Sequence, residues 1–144
     1  MRKKLLPLVY VSGFWSLITL LFLSMIPAYA DWMAVEKHYL SPGILTVYVD
    51  PDTIRREGAL VTMWQLIDYK TMQGGTSPTR FSSTKIQKLF DCAEGRTGLL
   101  RVTDFWGNMG TGESAAAYVE KGNWVRVEPD SMNQALWEVA CGKE

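Results

Sequence analysis

Apolar and polar positions divide this chain into two unlike parts. From Leu5 to Ala30 there is no charged residue. After Asp31 the pattern alternates, and alternation predicts strands. Trp32–Lys37 is a short extended candidate. Ile44–Val49, rich in β-branched and aromatic residues, is a strand. Asp50-Pro51-Asp52 is expected to stop it, because Pro51 fixes φ and lacks an amide proton, while Asp50 caps the turn. Thr53–Arg56 then reads as a turn or a single helical turn, closed by Glu57-Gly58.

Ala59–Tyr69 is the strongest strand. Leu60, Thr62, Trp64, Leu66 and Asp68 share one face; Val61, Met63, Gln65, Ile67 and Tyr69 share the other. Both faces are mostly apolar, which predicts a central strand covered on both sides, with Trp64 in the core. Met72–Thr79 contains Gly74, Gly75 and Pro78 and reads as a loop. Arg80–Cys92 alternates with one wet face and is the expected hairpin partner of Ala59–Tyr69. Thr97–Trp106 is the next strand. Gly107–Gly112 holds three glycines in six residues and reads as a mobile connection. Ala115–Val119 is compatible with strand or short helix, and Trp124–Val127 with a short strand.

The period then changes. Met132, Leu136, Val139 and Ala140 fall at i, i+4, i+7 and i+8, one face of a helix. Asp130 or Ser131 would cap its start and Gly142 would end it. The pattern as a whole predicts an α+β domain: an antiparallel β-sheet with a C-terminal helix packed on one face.

The uncharged run changes the compartment. It follows the basic residues Arg2, Lys3 and Lys4 and ends Ala28-Tyr29-Ala30, the small-residue pattern that signal peptidase reads. Residues 1–30 are therefore an expected signal peptide, cleaved after Ala30. The run has 26 residues, long enough also to serve as a retained N-terminal anchor. Either way the basic end stays in the cytoplasm, and residues 31–144 are expected outside it, in the periplasm, secreted or at the cell surface. A membrane partner is expected only if the segment is retained. No cysteine lies beside the cleavage point, so no lipid anchor of that kind is expected.

Composition then narrows the class. The net charge of the whole chain is zero, but residues 31–144 carry 12 basic and 15 acidic residues, a net charge of −3. Without a basic cluster, nucleic-acid binding is not expected. Cys92 and Cys141 are the only cysteines, and in an oxidising compartment an even count reads as one disulfide.

The single histidine, His38, stands beside a turn signal, with no nucleophile-elbow motif to support a triad. Asp50 and Asp52 lack the ligand series of a calcium loop. No phosphate loop or dinucleotide fingerprint occurs. No metal or cofactor is expected, and a small hydrolase using His38 is left as the catalytic alternative. The candidate binding residues are Trp106, beside the glycine-rich connection, and the basic doublet Arg55-Arg56.

Several segments occur in a recognisable order. Val47-Tyr48-Val49-Asp50 leads into Thr53-Ile54-Arg55 and Gly58; Met63–Tyr69, Phe90-Asp91-Cys92, Trp124–Pro129 and the helix to Cys141 follow. This order resembles the surface-adhesin protein E-like domain of bacterial exported proteins, from Trp32 to Cys141. The resemblance implies one antiparallel sheet with a helix, closed by a Cys92–Cys141 bond, and a non-catalytic domain binding a host-matrix or cell-envelope protein. The founding member looks like a surface lipoprotein that binds matrix and serum proteins such as laminin and vitronectin. This chain lacks the lipidated cysteine and shows no basic patch of that kind, and no binding residue is carried over. A homodimer through a sheet edge is a further expectation. The alternative is a periplasmic small-ligand-binding protein or inhibitor with Trp106 at the mouth of its site.

Overall fold

All but the last of the strands pair with their neighbours in sequence. The computed structural model describes residues 31–119 and 122–143. The export segment expected over residues 1–30 lies outside them. The strands are β1 (Met33–Val35), β2 (Leu45–Glu57), β3 (Leu60–Gln73), β4 (Phe81–Asp91), β5 (Arg96–Phe105), β6 (Ser114–Tyr118) and β7 (Val125–Arg126). They form one antiparallel sheet in the order β1-β2-β3-β4-β5-β6, with β7 also pairing β5. The helix α1 spans Met132–Cys141. No described helix is long and apolar enough to cross a membrane.

One element differs from the expectation, and another that the pattern left open is decided. β2 does not stop at Asp50. It continues through Arg55 and Arg56, which pair with Thr62 and Val61, after a register shift between Asp50 and Arg55. The strand survives Pro51 because the extra residues bulge out of the ladder. The Asp50 carboxylate accepts from the Asp52 amide at 3.2 Å, the cap expected of it. The Thr53 hydroxyl donates to the Asp50 carbonyl at 2.6 Å and accepts from the Trp64 amide at 3.0 Å, so a side chain fills the gap in the ladder. Ala115–Val119, left open between strand and helix, supplies β6, whose Ala116 and Ala117 face Asp104 and Thr103.

The helix begins and ends on its predicted signals. Ser131 Oγ accepts from the Gln134 amide at 3.2 Å, and the Gln134 side chain accepts from the Asp130 amide at 2.6 Å. Gly142, at φ 67°, closes the helix in the left-handed region that favours glycine. Ala135, Leu136, Ala140 and Cys141 share one core cluster with Val47, Val49, Val61, Met63 and Phe90. The register puts those strand residues on one set of alternating positions. Cys92, just past β4, is bonded to Cys141, with Cα atoms 5.7 Å apart.

Trp64 is not in that core. It pairs with Asp50 and Gln87 on the opposite set of positions and is half-buried. The alternation read from sequence was right, but the two faces of β3 are covered unequally.

Candidate functional site

Trp106 follows β5 directly. Its amide donates to the Glu113 carbonyl at 3.1 Å, carrying the pairing of β5 and β6 one step further. The residue is 39% exposed. The guanidinium carbon of Arg80 lies 5.2 Å from the ring centroid, a cation–π contact that occupies one side of the indole.

The connection after Trp106 is not the mobile segment its glycines suggested. Asp68 Oδ1 accepts from the Met109 amide at 2.8 Å and from Asn108 Nδ2 at 3.0 Å. Asn108 Nδ2 also donates to the Tyr69 carbonyl at 3.0 Å. Ser83 Oγ donates to the Gly107 carbonyl at 2.6 Å and accepts from the Gly110 amide at 2.8 Å. The loop is thus clipped to β3 and β4. Gly107 is required sterically, since a Cβ there would meet Thr111 Oγ1 and lie 2.9 Å from the Thr111 carbonyl oxygen. Composition could report the glycines; only the fold supplies Asp68 and Ser83 as anchors.

Arg55 and Arg56 are exposed, at the far end of β3 from that clip. Arg55 Nη1 donates to the Asp52 and Ile54 carbonyls at 2.8 and 2.9 Å, so one arm of its guanidinium is spent on nearby backbone. Arg55 pairs with Thr62 and the clip is anchored at Asp68. Six strand steps separate them, roughly 20 Å at ~3.4 Å per residue. Trp106 and the doublet therefore do not form one site.

Sequence reading missed another group of exposed side chains. Tyr118, Val119, Trp124 and Val125 are 51%, 63%, 38% and 53% exposed. Tyr118 is in β6 and Val125 in β7, the two strands that pair the outer side of β5. With Trp106 and Met109, the run from residue 106 to residue 125 holds most of the large exposed apolar side chains among the described residues. No single-residue signal marks this group. Its members line up on the outer side of β5, Tyr118 opposite Val102 and Val125 opposite Thr97.

The face opposite the helix cluster carries a second aromatic group. Lys85 Nζ lies 4.9 Å from the Trp64 centroid and 5.9 Å from that of Trp32. The cation bridges β4 to the segment just before β1. His38 is exposed and meets the edge of Tyr39 at 5.2 Å between ring centroids. Among the described residues, no group of three or more His, Cys, Asp or Glu is placed to hold a metal ion.

The comparisons with known proteins agree with this architecture. The family model of the surface-adhesin protein E matches residues 32–142. Crystal form II of Haemophilus influenzae protein E is similar at 17% identity and a TM-score of 0.56, over 67% of this chain and 80% of that one. Protein E from non-typeable Haemophilus influenzae is similar at 15% identity and a TM-score of 0.57, over 81% of this chain and 79% of that one. No curated protein matches the chain. Identities this low speak for the fold, whereas the family match rests on the sequence itself. The chain belongs to the surface-adhesin protein E family.

Proposed function

We propose that this chain is a non-catalytic exported binding domain that recognises a host-matrix or cell-envelope protein. Family membership supports an adhesin-like protein at the surface or otherwise exported. The observation that carries the reading is the exposed apolar edge along β6 and β7, with Trp106 at one end. Exposed apolar groups concentrated in one place mark interaction surfaces more than scattered ones do. β6 ends the strand order, so it also offers an open edge to a second chain.

In this reading α1 lies across the sheet face bearing Val47, Val61 and Phe90, as their shared cluster supports. The partner then uses the edge and the opposite face. A small ligand stacked on Trp106 is less favoured, because Arg80 already lies over that ring. Arg55 and Arg56 contribute at most peripheral charge contacts.

Solid-phase capture of the purified chain on matrix proteins and on cell-envelope extracts tests the proposal. Saturable capture that Tyr118→Ser/Val125→Ser weakens, in a folded variant, is the expected result. No saturable capture, with monomer and dimer both examined by light scattering, overturns it. A homodimer through β6 would appear as a mass that the same double variant halves.

A further inference from the structure

Lys88 occupies an unusual place for a lysine. It stands in β4 between Met63 of β3 and Leu99 of β5, on the same set of positions as the helix cluster. It is only 8% exposed. Among the described residues, its side-chain partner is Asn133 Oδ1, a neutral acceptor in the first turn of α1. Neither ion pair among the described residues involves it. An ammonium has three protons to place, and burial without an anion is costly.

The surroundings add to the imbalance. The start of a helix carries partial positive charge from its aligned peptide dipoles, and that first turn holds no acidic residue. Lys88 and the helix start therefore present like charge to one another. A cleft of about 160 Å³ adjoins them, lined by Lys88, Thr97, Leu99, Asn123, Val125 and Asn133. That is room for several waters or a short aliphatic acid. Leu99 and Val125 make part of its wall apolar.

We propose that this cleft is a binding site for a carboxylate on a short aliphatic stem, with Lys88 as the charge partner. The carboxylate would take the ammonium protons that Asn133 leaves unused, and the stem would lie against Leu99 and Val125. A doubly charged, strongly hydrated anion such as phosphate fits the apolar wall less well. The carboxylate can belong to a free small acid or to an acidic side chain of a bound protein. This proposal shares Val125 with the β6–β7 edge reading but rests on Lys88 and Asn133, which that edge does not include.

The test is a titration of the full chain, disulfide intact, followed by amide NMR. The probes are sodium butyrate, a blocked peptide with a single Glu, and inorganic phosphate. Saturable shifts centred on Leu99, Val125 and Asn133 with either carboxylate probe support the site. Butyrate binding assigns it to free acids, and binding of the peptide alone assigns it to a partner's side chain. Burial lowers the Lys88 pKa to about 8, and only the ammonium pairs with a carboxylate. None of Met63, Thr97, Leu99, Asn123, Val125 or Asn133 titrates near neutrality. Affinity should thus fall about tenfold per pH unit above that value.

Lys88→Met should abolish the shifts. Asn133→Asp supplies a carboxylate from within and should abolish them too, while keeping the shape of the side chain. Absence of saturation with both carboxylates, binding that survives both variants, or saturation by phosphate alone overturns the proposal.

Discussion

The Trp137 indole N–H donates to the Asp91 carbonyl at 3.1 Å, one residue before Cys92. Cys92 is in turn bonded to Cys141, one helical turn beyond Trp137. The end of β4 is therefore held to the helix by a covalent bond and a hydrogen bond. The cysteines are 49 positions apart, and closing such a loop is worth about 4 kcal/mol in the chain-entropy model, an upper figure. The double variant Cys92→Ser/Cys141→Ser should lose most of that in urea unfolding. Trp137→Phe keeps much of the packing and should lose about 1 kcal/mol. Equal stability of the reduced and oxidised proteins would contradict this account.

Gln65 is 1% exposed, between Val49 and Ile86 on the helix-cluster side of β3. Neither its amide nitrogen nor its amide oxygen has a hydrogen-bond partner among the described residues. Burying an unsatisfied amide costs about 1–3 kcal/mol. Gln65→Met conserves the volume and removes both polar atoms, so the denaturation midpoint should rise. A fall would show that the amide is satisfied in solution.

Lys88 gives a pH-dependent stability whose sign follows from its burial. Its folded pKa is lowered to about 8, while an unfolded lysine titrates at ~10.4. At pH 7 the protonated form is present in both states, and the cost of burying it is fully present. As pH rises from about 8 toward ~10.4, the folded protein releases the proton first and that cost disappears. Lys88→Met should therefore be the more stable protein at pH 7, by on the order of 3 kcal/mol at most. The difference should shrink by pH 10. An advantage independent of pH would rule out buried charge as its cause.

Asp68 anchors the loop after Trp106 through two hydrogen bonds, and Ser83 holds it through two more. Asp68→Ala should cost about 1–3 kcal/mol, because the Met109 amide and Asn108 lose a charged acceptor. Its distinctive signature is faster hydrogen exchange at Met109 and Gly110, with the β2–β3 ladder unchanged. Protection that persists at both amides would mean that Ser83 suffices.

Asp91 governs the acid side. Its carboxylate accepts from the Glu94 and Ala93 amides at 3.1 Å and from Arg96 Nε at 3.0 Å. The Glu94 amide bond is foremost in holding its carboxyl below the usual range, against an opposing effect of burial. The stabilisation is present above the unfolded carboxylate value of ~3.9 and is lost as pH falls through the lower folded value. Asp91→Asn should flatten the acid limb of the stability profile. An unchanged limb would assign acid sensitivity to other carboxylates.

The sequence by itself determined the elements whose signals are local. Ser131 and Gly142 bracket the helix because a cap and a left-handed glycine act within a turn. The alternation of Ala59–Tyr69 yields β3, and the two cysteines admit one intramolecular bond. Tertiary structure decided what depends on partners distant in sequence. β2 outlasted Pro51 because Thr53 could reach Trp64, eleven positions away. The glycine-rich loop is clipped because Asp68 and Ser83, about 40 and 27 positions before it, face it. Trp64 reads as core by pattern, yet only the fold shows that the buried cluster takes Val61 and Met63, on the alternate positions of β3. The same holds for the candidate surfaces. Tyr118 and Val125 become one edge through β5, and Lys88 meets Asn133 across 45 positions. Periodicity reports which way a side chain points, whereas the cost of its charge or exposure depends on what the fold brings opposite it.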